Sequence, residues 1–432
     1  MTMRPKKVGL VVVHGIGEQQ RLNPTMEVAT NVYKVLERLK KKEKSITNLV
    51  RNYKPENYHE RIKLEFRKGS TEWCIRFYSG FWADLDFPSN LFRRVGLWTW
   101  IFTLPARSRR TESSEQVPPN MVLPEVSQSK IFLTRVLLGL ATGLFIMALA
   151  SLHFIFTFFS RRFGWKIEWA RFLYDYLGDI RLYVSEIVRY DKIETAGLKS
   201  NKAISQRFFD AYIRATLDND EVYILSHSLG TVVTYNGLME LEDRIHGLVI
   251  HPGLRDRLDE IDSPNTDKRI NRNLLFRKLK AVITAGSPLN KFAAIWPRHV
   301  PINKTGPRNS EDRIPWYNIH DVLDIVGSDI NSYGDIPGYS LSNHQWVDQW
   351  FFFAAHTYYW KADPFDASSE KSNSNRLMDQ IVNGILNGRL DIDMNYEPLQ
   401  AWIRLLLNFG MIVGLFWIWF FFIIFLLSFG RL

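Results

Sequence analysis

Ser228 stands in the run Glu221-Val-Tyr-Ile-Leu-Ser-His-Ser-Leu-Gly-Thr-Val-Val233, which reads as an apolar strand, a tight turn and a helix start with one serine at the apex. A serine hydroxyl is a poor nucleophile at neutral pH. It works when it is lifted clear of the backbone, beside a general base and facing preset N–H donors. A strand that reverses sharply into a helix supplies the exposure, and the helix start turns its free N–H groups toward a developing oxyanion. Small neighbours are needed on both sides, and Ser226 and Gly230 occupy those positions. Ser226-His227-Ser228-Leu229-Gly230 thus follows the Gly-x-Ser-x-Gly pattern with serine in place of the first glycine. A second run, Val8-Gly-Leu-Val-Val-Val-His-Gly-Ile-Gly-Glu18, is a β-branched strand that ends in His14-Gly15-Ile16-Gly17. Two glycines there could turn a loop or cradle a phosphate. A dinucleotide fingerprint would require a third glycine where Gln20 stands, which disfavours the nucleotide reading.

Together these two runs resemble the α/β-hydrolase superfamily, its lipase and esterase members in particular. The resemblance implies an α/β-hydrolase fold with a mostly parallel central sheet. It also implies that His14 and Gly15 close an early strand, that Gly17 supports the loop, and that the N–H groups of Ile16 and Leu229 form the oxyanion hole. The acid and then the histidine should follow the serine in chain order. Lys280-Ala-Val-Ile-Thr-Ala-Gly-Ser-Pro288 reads as the next strand, and Ile314 to Gly327 as a strand through Trp316 to Ile319 followed by an acidic loop. Asp324, just before Ile325 and Val326, looks like the acid of the lipase loop; Asp321 is its rival. His356, behind the apolar run Phe351 to Ala355, is the candidate base, and His344 is the alternative. The base would take the proton of Ser228 and return it to the leaving alcohol, with Asp324 fixing its tautomer. His227, beside the nucleophile, is expected to pack against the loop that carries His14.

The rest of the chain bears on location. It has 432 residues and 46% hydrophobic content, enough for one catalytic domain with additions. Its only cysteine is Cys74, so an intrachain disulfide is impossible, and the sequence shows no metal cluster and implies no cofactor. A net charge of +10 points to an acidic partner. The basic groups Arg107, Arg109 and Arg110, and Arg161, Arg162, Lys166 and Arg171, flank apolar segments rather than alternating with aromatic residues. That favours anionic lipid headgroups over nucleic acid. Val136 to Phe159 and Leu405 to Gly430 are both longer than the roughly 20 apolar residues that span a hydrocarbon core. The apolar stretch at Val8 to Val13 is too short for a signal peptide and is read as the first core strand, retained in the mature protein.

These features divide the chain into residues 1–90, the first part of the hydrolase domain with its oxyanion loop; 91–170, a membrane-associated insert with the linker Arg107 to Lys130; 171–362, the catalytic part; 363–403, a linker and a helix over Arg376 to Leu386; and 404–432, a C-terminal transmembrane anchor. Within them, Ile62 to Phe66 and Glu72 to Tyr78 read as strands, and Glu168 to Leu198 and Ala203 to Leu217 as helices. Leu254 to Lys278 reads as a charged excursion and Arg298 to Arg313 as a polar loop. The His14 strand precedes the apolar insert and the Ser228 strand follows it, so a single crossing between them would split one sheet across a bilayer. The insert must cross an even number of times or dip in and return, and basic residues on both flanks favour the cytoplasmic side. The expectation is an integral membrane serine hydrolase that cleaves carboxylic esters, of lipids in particular. An acyltransferase using the same triad and a non-catalytic membrane scaffold are the alternatives.

Overall fold

The computed structural model describes residues 4–15, 23–54, 61–80, 121–124, 201–244, 272–303, 313–324, 326–334, 336–346, 355–356, 358–360, 373–394, 398–399, 401–408, 410, 413–414, 417 and 421. In chain order the elements are β1 (Lys6–Val13), α1 (Asn23–Glu43), β2 (Ile46–Lys54), β3 (Arg61–Lys68), β4 (Thr71–Ser79), β5 (Met121–Val122), α2 (Asn201–Asp218), β6 (Glu221–His227), α3 (Leu229–Arg244), α4 (Arg272–Lys278), β7 (Leu279–Ala285), α5 (Leu289–Ile295), β8 (Ile302–Asn303), β9 (Ile314–Asp321), β10 (Tyr339–Trp346) and α6 (Asn373–Asn387).

Eight strands make one sheet in the order β10-β9-β7-β6-β1-β4-β3-β2. Each adjacent pair from β10 to β4 is parallel, and β3 runs against both β4 and β2. The chain is therefore of the α/β class with a mostly parallel sheet. Parallel strands need cover on both faces, because each is joined to the next by a crossover that lies over the sheet. The near-continuous apolar runs of β1, β6 and β7 reflect this. Successive side chains point to opposite faces, so Val8, Leu10 and Val12 pack with α1 and α6 on one side. Val11 and Val13 pack with α2, α3 and α5 on the other.

The helices bury the faces that their spacing dictates. In α1, Val28, Ala29, Val32, Val35 and Leu36 lie on one stripe and are buried. Its last turn carries Lys40, Lys41 and Lys42, where positive charge suits the helix dipole. In α6 the stripe is Leu377, Met378, Ile381, Val382 and Ile385.

What matters for function is the register at the carboxyl ends. Val13 lies beside Ser226, His227 beside Ala285, and Ala285 beside Ile319. The four central strands β1, β6, β7 and β9 thus end level, and the segments carrying Gly15, Ser228, Gly286 and Asp324 leave from one edge of the sheet. A crevice outside the carboxyl ends of parallel strands is where such sheets bind ligands.

Several expected elements lie inside observed ones: Ile62 to Phe66 in β3, Glu72 to Tyr78 in β4, Ala203 to Leu217 in α2, and Arg376 to Leu386 in α6. Others differ. The linker Arg107 to Lys130 and the loop Arg298 to Arg313 each contain a short strand, β5 and β8, which pair antiparallel and place Val122 and Ile302 against the core. The charged excursion Leu254 to Lys278 ends in α4, and α6 begins at Asn373, inside the stretch read as linker. The apolar insert Val136 to Phe159 and the expected helix Glu168 to Leu198 lie outside the described residues. Residues 401–408 are helical. Among the described residues no helix is long and apolar enough to cross a membrane.

The contact between α2 and α3 is tight at Gly237, where an added methyl would overlap the ring of Phe208, itself fully buried and stacked on Tyr212. In an unobstructed helix interior, glycine to alanine gains about 0.5–1 kcal/mol. Here Gly237→Ala is expected to lose about 1–3 kcal/mol through overpacking. Adding Phe208→Leu should restore part of the loss, read by equilibrium urea unfolding of the two variants and the parent.

Candidate active site

Ser228 has φ of 54°, in the left-handed region that non-glycine residues rarely enter. The strained turn between β6 and α3 is locked from three sides. Ser228 N–H donates to the Ala285 carbonyl at 3.0 Å, and the Ser228 carbonyl accepts from Thr231 N–H at 2.9 Å and from Thr231 Oγ1 at 2.7 Å. Two glycines let other backbone come close. A Cβ on Gly230 would overlap the carbonyl oxygens of Val13 and His14, and one on Gly15 would overlap the Ser228 side chain. The end of β1 and the start of α3 are therefore in van der Waals contact only because both positions lack a side chain. Ser226, where the pattern normally has glycine, is fully buried in β6, and its hydroxyl finds no partner among the described residues.

Around this turn the structure brings together Ser228, His356 and Asp324. His356 Nε2 is 2.7 Å from Ser228 Oγ, and His356 Nδ1 is 3.0 and 2.9 Å from Asp324 Oδ1 and Oδ2. All three residues are buried. An ionised carboxylate can only accept, so Nδ1 carries the proton and Nε2 presents its lone pair to the serine hydroxyl. That is the tautomer a general base requires. Burial alone would push the Asp324 carboxyl up. The positive charge available on His356, its N–H, the Gly327 N–H and the Tyr359 hydroxyl outweigh burial and hold it well below the usual carboxylate range. Val326 N–H also donates to Oδ1 at 2.8 Å, and Tyr359 Oη to Oδ2 at 2.8 Å. Gly286 and Gly327 make the room, since a side chain on either would press on Asp324 Oδ2.

His14 is buried, and its Nδ1 is 2.5 Å from the Gly15 carbonyl. Burial pushes it down to about 4, with the bond to that carbonyl opposing the shift, so the ring is neutral and Nδ1–H is the donor. It braces the loop that leaves β1. Leu229 is the first residue of α3, so its N–H has no carbonyl of its own helix to meet. Among the described residues it is the N–H expected to face an oxyanion. Ile16 and Gly17, expected to complete the oxyanion loop, lie outside the described residues.

The two rivals stand elsewhere. Asp321 ends β9, and its carboxylate turns back to accept Leu323 N–H at 2.8 Å, stabilising its own turn. His344 is in β10, which β9 and β7 separate from β6, three strand spacings or about 14 Å away. Its Nε2 is 3.0 Å from Ser342 Oγ. His227 differs in part from expectation. Its carbonyl lies against Gly15, but its imidazole turns to the base, with Nε2 2.7 Å from the His356 carbonyl and the two rings 5.0 Å apart.

Two residues of the site carried no sequence signal. Tyr359 touches Asp324, and Lys291 of α5 donates to the carbonyls of Val326 at 2.7 Å and Gly327 at 3.0 Å, tying down the acid loop. Neither belongs to a motif, and each meets its partner only through the fold. No group of side chains suited to a metal ion occurs among the described residues. The arrangement can deprotonate a serine hydroxyl as it attacks an electrophile and can return the proton to a leaving group. No protein-family model, curated protein or solved structure matches the chain.

Burial pushes the Lys291 ammonium down to about 8 from its usual 10.5, with the charges of Asp324 and Asp329 opposing the shift. The unfolded chain therefore binds more protons between those two values, and stability attributable to this group rises with pH across that window. Relative to Lys291→Met, the parent is expected to gain stability between about pH 8 and about pH 10, measured by urea unfolding of both at each pH.

Proposed function

We propose that this chain is a serine hydrolase of the α/β-hydrolase type that cleaves carboxylic esters, of lipids in particular, and works at a membrane. One observation carries the reading. Ser228 sits at positive φ on a strand-to-helix turn with Oγ 2.7 Å from His356 Nε2, whose other nitrogen meets a buried, ionised Asp324. The chain order of serine, acid and histidine, and the position of the serine beyond a central parallel strand, are those of that superfamily.

In the first half-reaction Ser228 Oγ attacks the ester carbonyl carbon while His356 Nε2 takes its proton. The carbonyl oxygen becomes an oxyanion facing the Leu229 N–H. Its collapse breaks the bond to the alcohol, which leaves with the proton from His356, and the acyl group stays on Ser228. In the second half, water gives its proton to His356, attacks the acyl carbon, and releases the acid as the proton returns to Ser228. Asp324 keeps the histidine in one tautomer and stabilises it while it is charged.

The lipid reading draws on the helical residues 401–408. There Trp402, Ile403, Leu406 and Leu407 are exposed, whereas Arg404 and Asn408 are buried, and Trp417 and Phe421 further along the chain are exposed as well. A helix against water turns its polar side outward. This one has the reverse pattern, which suits contact with acyl chains. With the basic charge of the chain it supports an active site held close to an anionic bilayer on the cytoplasmic side.

A fluorophosphonate probe reacts only with an activated serine, so membranes holding the parent protein should label and those holding Ser228→Ala should not. Asp324→Asn leaves the volume nearly unchanged but offers an amide N–H to His356 Nδ1, which puts the imidazole proton on Nε2, and is expected to lower kcat by about 10⁴. Folded parent protein that neither labels nor hydrolyses lipid esters in vesicles would rule the reading out.

A further inference from the structure

Tyr359 is the buried group of the site that the acyl-transfer chemistry leaves without a task. It is 1% exposed, its ring stacks on Trp346 at 5.1 Å with an interplanar angle of 9°, and its ring centre lies 5.7 Å from that of His227. Its hydroxyl has two partners. Asp321 N–H donates to it at 2.7 Å, and it lies 2.8 Å from Asp324 Oδ2. A phenol has a single hydrogen, and the backbone N–H already occupies the oxygen's accepting side, so that hydrogen is directed to Asp324.

We propose that Tyr359 is a positioning residue, whose hydroxyl, anchored by the Asp321 N–H, donates to Asp324 Oδ2 and holds the carboxylate in register with His356 Nδ1. The proposal rests on the serine hydrolase reading. It also gives Asp321 a place in the site: its backbone, rather than its carboxylate, is what the acid needs. The two oxygens of Asp324 are thereby pinned separately, Oδ1 by Val326 N–H at 2.8 Å and Oδ2 by Tyr359, so rotation of the carboxylate costs a hydrogen bond in either direction. Burial, and then the charges of Asp324 and Asp321, keep the phenol protonated well above its ordinary range, so it donates at every working pH.

The hydroxyl also acts electrostatically. Its hydrogen offsets part of the Asp324 charge, which lowers the affinity of the Asp324–His356 pair for a further proton. Removing it should move the acid limb of the kcat/KM profile to higher pH. Loosened packing alone would lower the rate and leave the limb in place.

The test compares parent, Tyr359→Phe and Ser228→Ala in vesicles for fluorophosphonate labelling rate, ester hydrolysis and pH profile. Tyr359→Phe keeps the ring on Trp346 and removes one charge-assisted hydrogen bond. The expected result is a fall in kcat and labelling rate of about 10- to 100-fold, an unchanged KM, and an acid limb displaced to higher pH. A fluorotyrosine at position 359, a stronger donor, should displace the limb the other way and guards against a phenylalanine variant that folds poorly. A labelled parent whose Tyr359→Phe form has the same limb, whether or not it is slower, overturns the positioning role alone. An unlabelled parent overturns the hydrolase reading and this role with it.

Discussion

An ionised carboxylate buried away from water must be met by donors, and the site is organised around that requirement at Asp324. A bare carboxylate in such a place would take up a proton rather than remain charged. Here it accepts from His356, Tyr359 and the backbone of its own loop. Each donor is fixed in turn. Tyr359 lies on Trp346, the His356 carbonyl is held by His227, and the loop is fastened by Lys291. The histidine tautomer follows from the carboxylate's inability to donate, and the basicity presented to Ser228 follows from the tautomer.

The second constraint is steric. The backbone leaving β1 and the Ser228 turn after β6 meet where Ser228 leaves the sheet, and they fit only because Gly15 and Gly230 have no side chains, while Gly286 beyond β7 leaves the room taken by Tyr359 and Asp324. The parallel sheet makes that convergence possible. With β1, β6, β7 and β9 in level register, loops far apart in the chain open at one edge, and serine, acid and histidine meet although they come from separate parts of the sequence. The left-handed conformation of Ser228 is maintained by hydrogen bonds to Ala285 and Thr231, so strain at the apex is balanced by the sheet and the helix on either side.

Features confined to a short stretch were legible in the sequence. The serine turn is local, with small residues forced on it by its own geometry, and the β-branched runs of β1, β6 and β7 announce strands covered on both faces. Asp324 and His356 could be placed by chain order, yet the choice over Asp321 and His344 depends on which way a turn directs a carboxylate and on which strand lies at the edge of the sheet. Neither leaves a trace in spacing. Tyr359 and Lys291 were invisible for the same reason, since each acts across elements. The edge strand β2 is half polar and exposed on one side, so it lacks the apolar run that marks the central strands. The helical period of α1 is there to be read in Val28, Val32, Val35 and Leu36.

If the proposed serine hydrolase reading holds, turnover passes through an acyl group on Ser228. The most direct measurement is to mix the protein in vesicles with a short-chain nitrophenyl ester, quench within the first turnover, and map the modified peptide by mass spectrometry. A burst of nitrophenol matched by one acyl group on Ser228, in the peptide running through Glu221 to Val233, is the result the account requires. Turnover without an adduct on Ser228, or with the acyl group on another residue, would contradict it.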